Sequence, residues 1–382
     1  MTYGRFSDDG TEYVITRPDT PRPWMNRFGN PEYSVAISQI GGGYSIAGAD
    51  GQRRQLTWYI PRYDEAGRYL YLRDAATGDV WAATFAPVRK ELDRFECRHG
   101  LGWTTFASEH NGIACEMTVF VPADGPVELW HITLTNRTRR PRRIAAFPFV
   151  EWSIDGGSQS VDDLVYAAVS DGDFEPQTCS IVASHRDVPA FTFHRAFMMT
   201  DRRPDGWDVN RAAFLGPGGT LARPAAVTRG RCTQTPANAE VTCGALRKTV
   251  TLAPGGSTRL TVMVGAANTL ATRRALRRRF LAKGAPEREL ANVRAFWDGL
   301  SDRLAIRTPD KRLDRYVNRW LVNHVHTLGA TNALRSMTIG FRNYVQDAIG
   351  LALFDPAPAR GILDTAMKYQ VASGECLLQW SA

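Results

Sequence analysis

FECRHGLGWTTFASEHNGIACEMTVFVP, residues 95–122, alternates apolar and polar positions through runs broken by Gly and Asn. A period of two predicts strands over 102–110 and 114–121. Working outward, the same reading gives a strand pair over 33–48, with GGGY at 41–44 as its hairpin turn, and runs at 68–73, 79–83, 89–98, 127–136 and 144–152. FTFHRAFMM at 191–199 reads as one more, and 243–264 as two strands parted by Pro254-Gly255-Gly256. Turn signals about ten residues apart argue an antiparallel β-sandwich. GGGY has neither the Lys nor the strand-loop-helix setting of a phosphate loop, so it is a turn only. Trp58, Trp81, Trp103, Trp130 and Trp152 fall at strand spacing, which favours sandwich core over sugar-stacking platforms.

Near Leu270 the period lengthens to that of a helix. Residues 270–282 and 286–304 carry helix formers with apolar residues three and four apart, Pro286 suiting a first turn. Residues 311–328 form an amphipathic helix with Leu313, Tyr316, Val317, Trp320, Leu321, His324 and Leu328 in one stripe. Helices follow over 340–353 and 356–369, the last with Asp355 placed to cap it. The expected division is a β-sandwich at 1–269, a helical linker at 270–305 and a helical segment at 306–382.

Composition is ordinary for a globular chain of 382 residues, 43% hydrophobic and 23% charged. No apolar run reaches the length of a membrane span, and the acidic N-terminus is unlike a signal peptide, so a cytoplasmic location with no membrane partner is expected. Six cysteines without ligand-like spacing read as reduced thiols. His324 and His326 form an HxH with nothing nearby to complete a metal set, and His324 is expected to pack. The net charge of +8 draws on RTRRPRR at 137–143, read as a solvated turn, and RRALRRR at 273–279. Neither is interleaved with aromatics, so no nucleic-acid partner is expected.

Two stretches carry polar chemistry. Residues 13–30 hold Pro18, Pro21 and Pro23 and should form a stiff extended arm ending at Trp24 and Asn26. On the helix at 340–353, Arg342 stacks on Gln346 and Asn343 on Asp347, opposite Phe341, Val345, Ala348, Ile349 and Ala352. From Met337 to Met367 there is no Lys and no Glu, the usual occupants of solvated helix faces. Short, orientable hydrogen-bonding groups of this kind suit a polyhydroxylated ligand.

GFRNYVQDAIG resembles the FRD-x-x-QD segment of the cellobiose and chitobiose phosphorylases, glycoside hydrolase family ninety-four, formerly grouped with glycosyltransferases. YVITRPDTPRPWMN, RYLYLRDAATGDVWAATFAPV and the stretch quoted first resemble the N-terminal domain of the same family. The resemblance implies a β-sandwich, a helical linker and the beginning of a six-hairpin α/α barrel. It implies an inverting glycoside phosphorylase that transfers a glycosyl group between a β-linked glucose disaccharide and inorganic phosphate, giving a sugar 1-phosphate. Phosphate is then a co-substrate, with no cofactor and no metal, and family members resemble homodimers. Arg342 matches the family's Arg, Gln346 and Asp347 its QD pair, and Asn343 stands where the family has Asp. Arg335 lies upstream where many members have a second sugar-binding Arg. Arg17, Asp19, Arg22 and Trp24 are candidates for an arm approaching an active site. No residue matches the family's catalytic acid, whose DWND-type motif does not occur here, so this chain alone is expected to be inactive. The other reading is a non-catalytic carbohydrate-binding or subunit-interaction unit.

Overall fold

The computed structural model describes residues 2–48, 54–155, 170–186, 195–329 and 338–381. Two large antiparallel sheets dominate it. One has eleven strands, in the order Gly4–Phe6, Glu12–Ile15, Arg94–Gly100, Trp103–His110, Ile113–Phe120, Val127–Asn136, Ser257–Ala266, Arg195–Thr200, Ser180–His185, Ser170–Glu175 and Ala237–Glu240. The other has nine. Gly206–Asn210, Thr242–Leu252, Arg142–Asp155, Arg54–Thr57, Gly43–Ala47, Tyr33–Ser38 and Met25–Gly29 run in order, while Tyr69–Asp74 joins Arg142–Asp155 and carries Val80–Ala82.

The alternation along Val127–Asn136 explains how the layers stack. Trp130, Ile132 and Leu134 enter the core shared by the two sheets, beside Leu70, Leu72 and Trp152. Val127 and Leu129 belong to a second core with Leu276, Phe280, Val293 and Trp297 of the helices Leu270–Phe280 and Ala285–Ser301. Successive side chains point to opposite faces of a sheet, so this strand is apolar on both sides where helices cover it. Outside the nine-stranded sheet, Tyr69, Tyr71, Phe147 and Phe149 pack on Phe214 and Val227 of two short helices, Arg211–Leu215 and Ala225–Arg229. All five sandwich tryptophans are buried, as their spacing suggested.

Arginine does more here than its sequence context suggests. Arg273 is buried, donating to Glu175 at 2.5 Å and to the carbonyl of Ala267 at 2.8 Å. Arg277 bonds the carbonyls of Thr178 and Thr200. These contacts pin the Leu270–Phe280 helix to the sandwich. Arg142, expected in a solvated turn, is instead buried against Asp74 at 2.5 Å.

The proline-bearing arm is also anchored. Its first residues form the strand Glu12–Ile15, paired on both sides, and its last form Met25–Gly29. The three prolines occupy the crossing between these strands, where no ladder bond is lost. Gln39 holds that crossing, accepting from the Trp24 N–H at 2.9 Å and donating to the Pro18 carbonyl at 3.0 Å.

The segment 311–328, expected as one continuous helix, is divided into three parts. Lys311–Arg315 and Val322–Gly329 are α-helical, and Tyr316–Leu321 between them is a π-helical turn. The wider turn rotates the residues after it relative to a continuous α-helix. Among the described residues of the predicted stripe only Trp320 is buried, whereas Leu313, Tyr316 and Leu321 are exposed. The inward face is instead Asp314, Trp320, Val322, Asn323, His326 and Thr327. Asp314 accepts the Thr308 N–H, and Asn323 donates to the Leu101 carbonyl at 3.1 Å, so these buried polar groups have partners. The helices Phe341–Leu351 and Pro356–Met367 follow, and a short pair, Thr338–Gly340 with Gln379–Ser381, closes beside them. Among the described residues no helix is long and apolar enough to cross a membrane.

Candidate functional site

The helix Phe341–Leu351 is seated by its small and apolar residues. Ala348 and Leu351 are buried, and Phe341, Tyr344 and Val345 pack with Ala366 and Tyr369. Gly350 permits the crossing with the preceding helix, since a Cβ there would meet Val325 Cγ1 at 2.8 Å. Ile349 and Ala352, expected on the packed face, are exposed.

On the other face Arg342, Asn343 and Gln346 are exposed and Asp347 is half-buried. Arg342 Nη2 lies 3.5 Å from Asn343 Oδ1. The sequence thus brings a guanidinium, two amides and a carboxylate onto two turns of one helix. Such a set can donate to and accept from neighbouring hydroxyls. Arg335 lies outside the described residues.

A second feature joins the sandwich to the helices. A cleft of about 520 Å³ opens between the strands that flank the arm and the Tyr316–Thr327 region. Trp24, Tyr316 and Trp320 give it aromatic walls, and Arg27, His99 and His324 add nitrogen groups. Trp320 is fixed by its indole N–H, which donates to the Gly10 carbonyl at 2.9 Å. His99 is held between Thr104 Oγ1 at 3.0 Å and the Trp24 carbonyl at 2.8 Å. Burial pushes its pKa down to about 4, against a smaller upward pull from the Trp24 carbonyl. His99 is therefore neutral and structural at neutral pH.

Of the arm candidates, Trp24 lines this cleft. Arg17 and Asp19 pair with each other at 2.6 Å at the surface, and Arg22 is exposed. His324 is exposed at the cleft, not packed as its place in the predicted stripe suggested; the π turn moves it. Arg342, Asn343, Gln346 and Asp347 do not line the cleft. Tyr316 and Arg27 meet there although nothing in the sequence marks them as neighbours.

His326 sits deeper. Its Nε2 is 3.3 Å from Asp355 Oδ2, and its ring meets Phe296 and Trp297 edge-on, each at 5.3 Å between centroids. Asp355 does not cap the helix it precedes; it faces His326 and Arg303.

Residues 11–283 match the family described as Glycosyl hydrolase 94, supersandwich domain, and residues 296–382 match the Glycosyl hydrolase 94 superfamily, catalytic domain. The chain belongs to glycosyl hydrolase family 94. Its similarity to family 94 relatives runs through nearly its whole length. It is 33% identical to a solabiose phosphorylase of Paenibacillus borealis, over 99% of this chain and 49% of that protein. It is 32% identical to an N,N'-diacetylchitobiose phosphorylase of Vibrio furnissii, over 98% of this chain and 48% of that protein. This family 94 chain thus spans about half the length of the curated relatives it matches. Among solved structures, a bacterial glucoamylase complexed with acarbose aligns with a TM-score of 0.54 at 7% identity, covering 96% of this chain and 55% of that one. At that identity the likeness concerns the fold alone.

Proposed function

We propose that this chain supplies the sandwich and the first catalytic-domain helices of an inverting glycoside phosphorylase. The carrying observation is that both family 94 domains match in order, with the FRNYVQD segment on an exposed helix face. On this reading the sandwich is 1–269, the linker 270–305, and the helices from 306 onward begin a six-hairpin α/α barrel. Arg342, Asn343, Gln346 and Asp347, with Arg335, hold the non-reducing sugar of a β-linked disaccharide, while the arm, through Trp24, lines the separate cleft beside Tyr316 and Trp320. Inorganic phosphate is the nucleophile, so one carboxylic acid suffices for the leaving oxygen, unlike hydrolytic inversion, which needs a second carboxylate to activate water. That acid belongs to sequence outside residues 1–382, and the chain alone binds sugar without turning it over. The complete enzyme is a cytoplasmic homodimer.

The test is incubation of the chain, and of a full-length parent, with cellobiose or N,N'-diacetylchitobiose and phosphate, reading sugar 1-phosphate. Product from the parent and none from the chain is expected. No phosphate consumption by the parent with any β-linked disaccharide overturns the proposal.

A second reading, a subunit-interaction or carbohydrate-binding unit, is favoured by the exposed apolar residues Ile349, Leu353 and Met367. Calorimetric binding of cellobiose by the chain separates sugar binding from a purely structural role.

A further inference from the structure

We propose that Asp355 is a positioning residue, holding the helix Phe341–Leu351 at the angle its polar face needs to meet a sugar. This role rests on the sugar-face reading of Arg342, Asn343, Gln346 and Asp347 and adds to it a residue beyond the helix end.

Asp355 occupies the N-cap position of Pro356–Met367, where a carboxylate ordinarily accepts from free N–H groups of the first turn. Its side chain makes no capping bond there. Both oxygens turn to other elements instead. Oδ2 lies 3.3 Å from Nε2 of His326, in the helix Val322–Gly329. Oδ1 accepts from Arg303 Nη1 at 3.3 Å, just past the helix Ala285–Ser301. The same Arg303 nitrogen donates to the Phe354 carbonyl at 2.9 Å, and the Asp355 N–H donates to the Leu351 carbonyl at 2.7 Å. One residue thus ties the end of the sugar-face helix to the linker helix and to the helix before it. A side chain that forgoes its local role for distant contacts is the kind of departure expected where function constrains the fold.

Apolar packing does not supply that direction. Ala348, Leu351 and Phe354 share a core with Val293 and Trp297, and burial of this kind is non-directional. Charge-assisted hydrogen bonds are directional. Arg342 lies nine residues before Leu351, so a tilt of about 10° at that corner, acting over roughly 14 Å of helix, displaces it by roughly 2 Å. A hydrogen bond to a sugar hydroxyl does not survive that shift.

The test compares the unsubstituted chain with D355A, D355N and the exposed control R360A, all shown to be folded by thermal melts. Calorimetry reads cellobiose binding, and nitrogen–proton spectra without sugar read the side-chain amides of Asn343 and Gln346. In D355A both amide resonances should move and affinity should fall by about tenfold, a loss that a merely structural role would not cause in folded protein. D355N keeps an oxygen for Arg303 and should recover part of that loss, while R360A should change neither readout. Unmoved amide resonances or unchanged affinity in D355A overturns the proposal. A chain that binds no cellobiose in any form fails the sugar-face reading itself, and the amide resonances then decide whether Asp355 sets that face. Should D355A fail to fold, R303M, which removes one arm of the bridge from an exposed side chain, is read by the same criteria.

Discussion

Arg68 and Glu128 form a fully buried ion pair between the two sheets, Nε to Oε1 at 2.7 Å and Nη2 to Oε2 at 3.0 Å. Trp130 Nε1 also donates to Glu128 Oε1 at 2.7 Å, and Ser45 and Tyr33 donate to its other oxygen. Each carboxylate oxygen is thus met by more than one donor. Removing one partner leaves an uncompensated charge, so E128Q and R68M should each cost about 3–5 kcal/mol in denaturant unfolding. The double variant R68M/E128Q should cost less than the two singles summed.

Stability should fall with acid. His99 has a folded pKa of about 4 and an ordinary unfolded value of about 6.5, so the unfolded chain binds the extra proton between them. The stability from neutral His99 is intact above pH 6.5 and declines towards pH 4, by about 3 kcal/mol in all. His131 and His326 are also lowered and act in the same direction. Unfolding midpoints from pH 7 to 4 measure the slope, and H99Q should make it shallower.

Substitutions on the proposed sugar face should affect binding without affecting folding. Arg342 is exposed, so R342A should leave the thermal midpoint within about a degree or two. Loss of a charged hydrogen bond, about 1.5–3 kcal/mol, should weaken cellobiose binding by about tenfold to a hundredfold. N343D restores the family's carboxylate and should tighten binding. Calorimetry reads both.

Ile349 and Leu353 are each 70% exposed, and Met367 67%. Exposed apolar groups of this size favour association. The chain should self-associate in sedimentation, and I349E/L353E should shift it towards monomer. A monomeric unsubstituted chain would count against this.

Much of the sandwich could be read directly because one strand face meets a core. The predicted run at 127–136 is the observed strand, and the helix over 356–369 begins where Pro356 suggested. The helix at 311–328 was harder. A π turn inserted at Tyr316–Leu321 has no periodic signature, so the predicted stripe continued to His324, whereas beyond the turn the buried residues include Asn323 and His326. Long-range partners were equally hidden: nothing local marks Arg273 for Glu175 or His326 for Asp355.

The pairing of Val127–Asn136 with Ser257–Ala266, and of Arg142–Asp155 with Thr242–Leu252, bears on biosynthesis. Residues 137–256 separate the first pair and 156–241 the second, so each early strand waits for its mate to leave the ribosome. Non-local pairing of this kind is slow. Until it happens two long ladders stay open on the nascent chain, a period in which chaperone capture competes with aggregation.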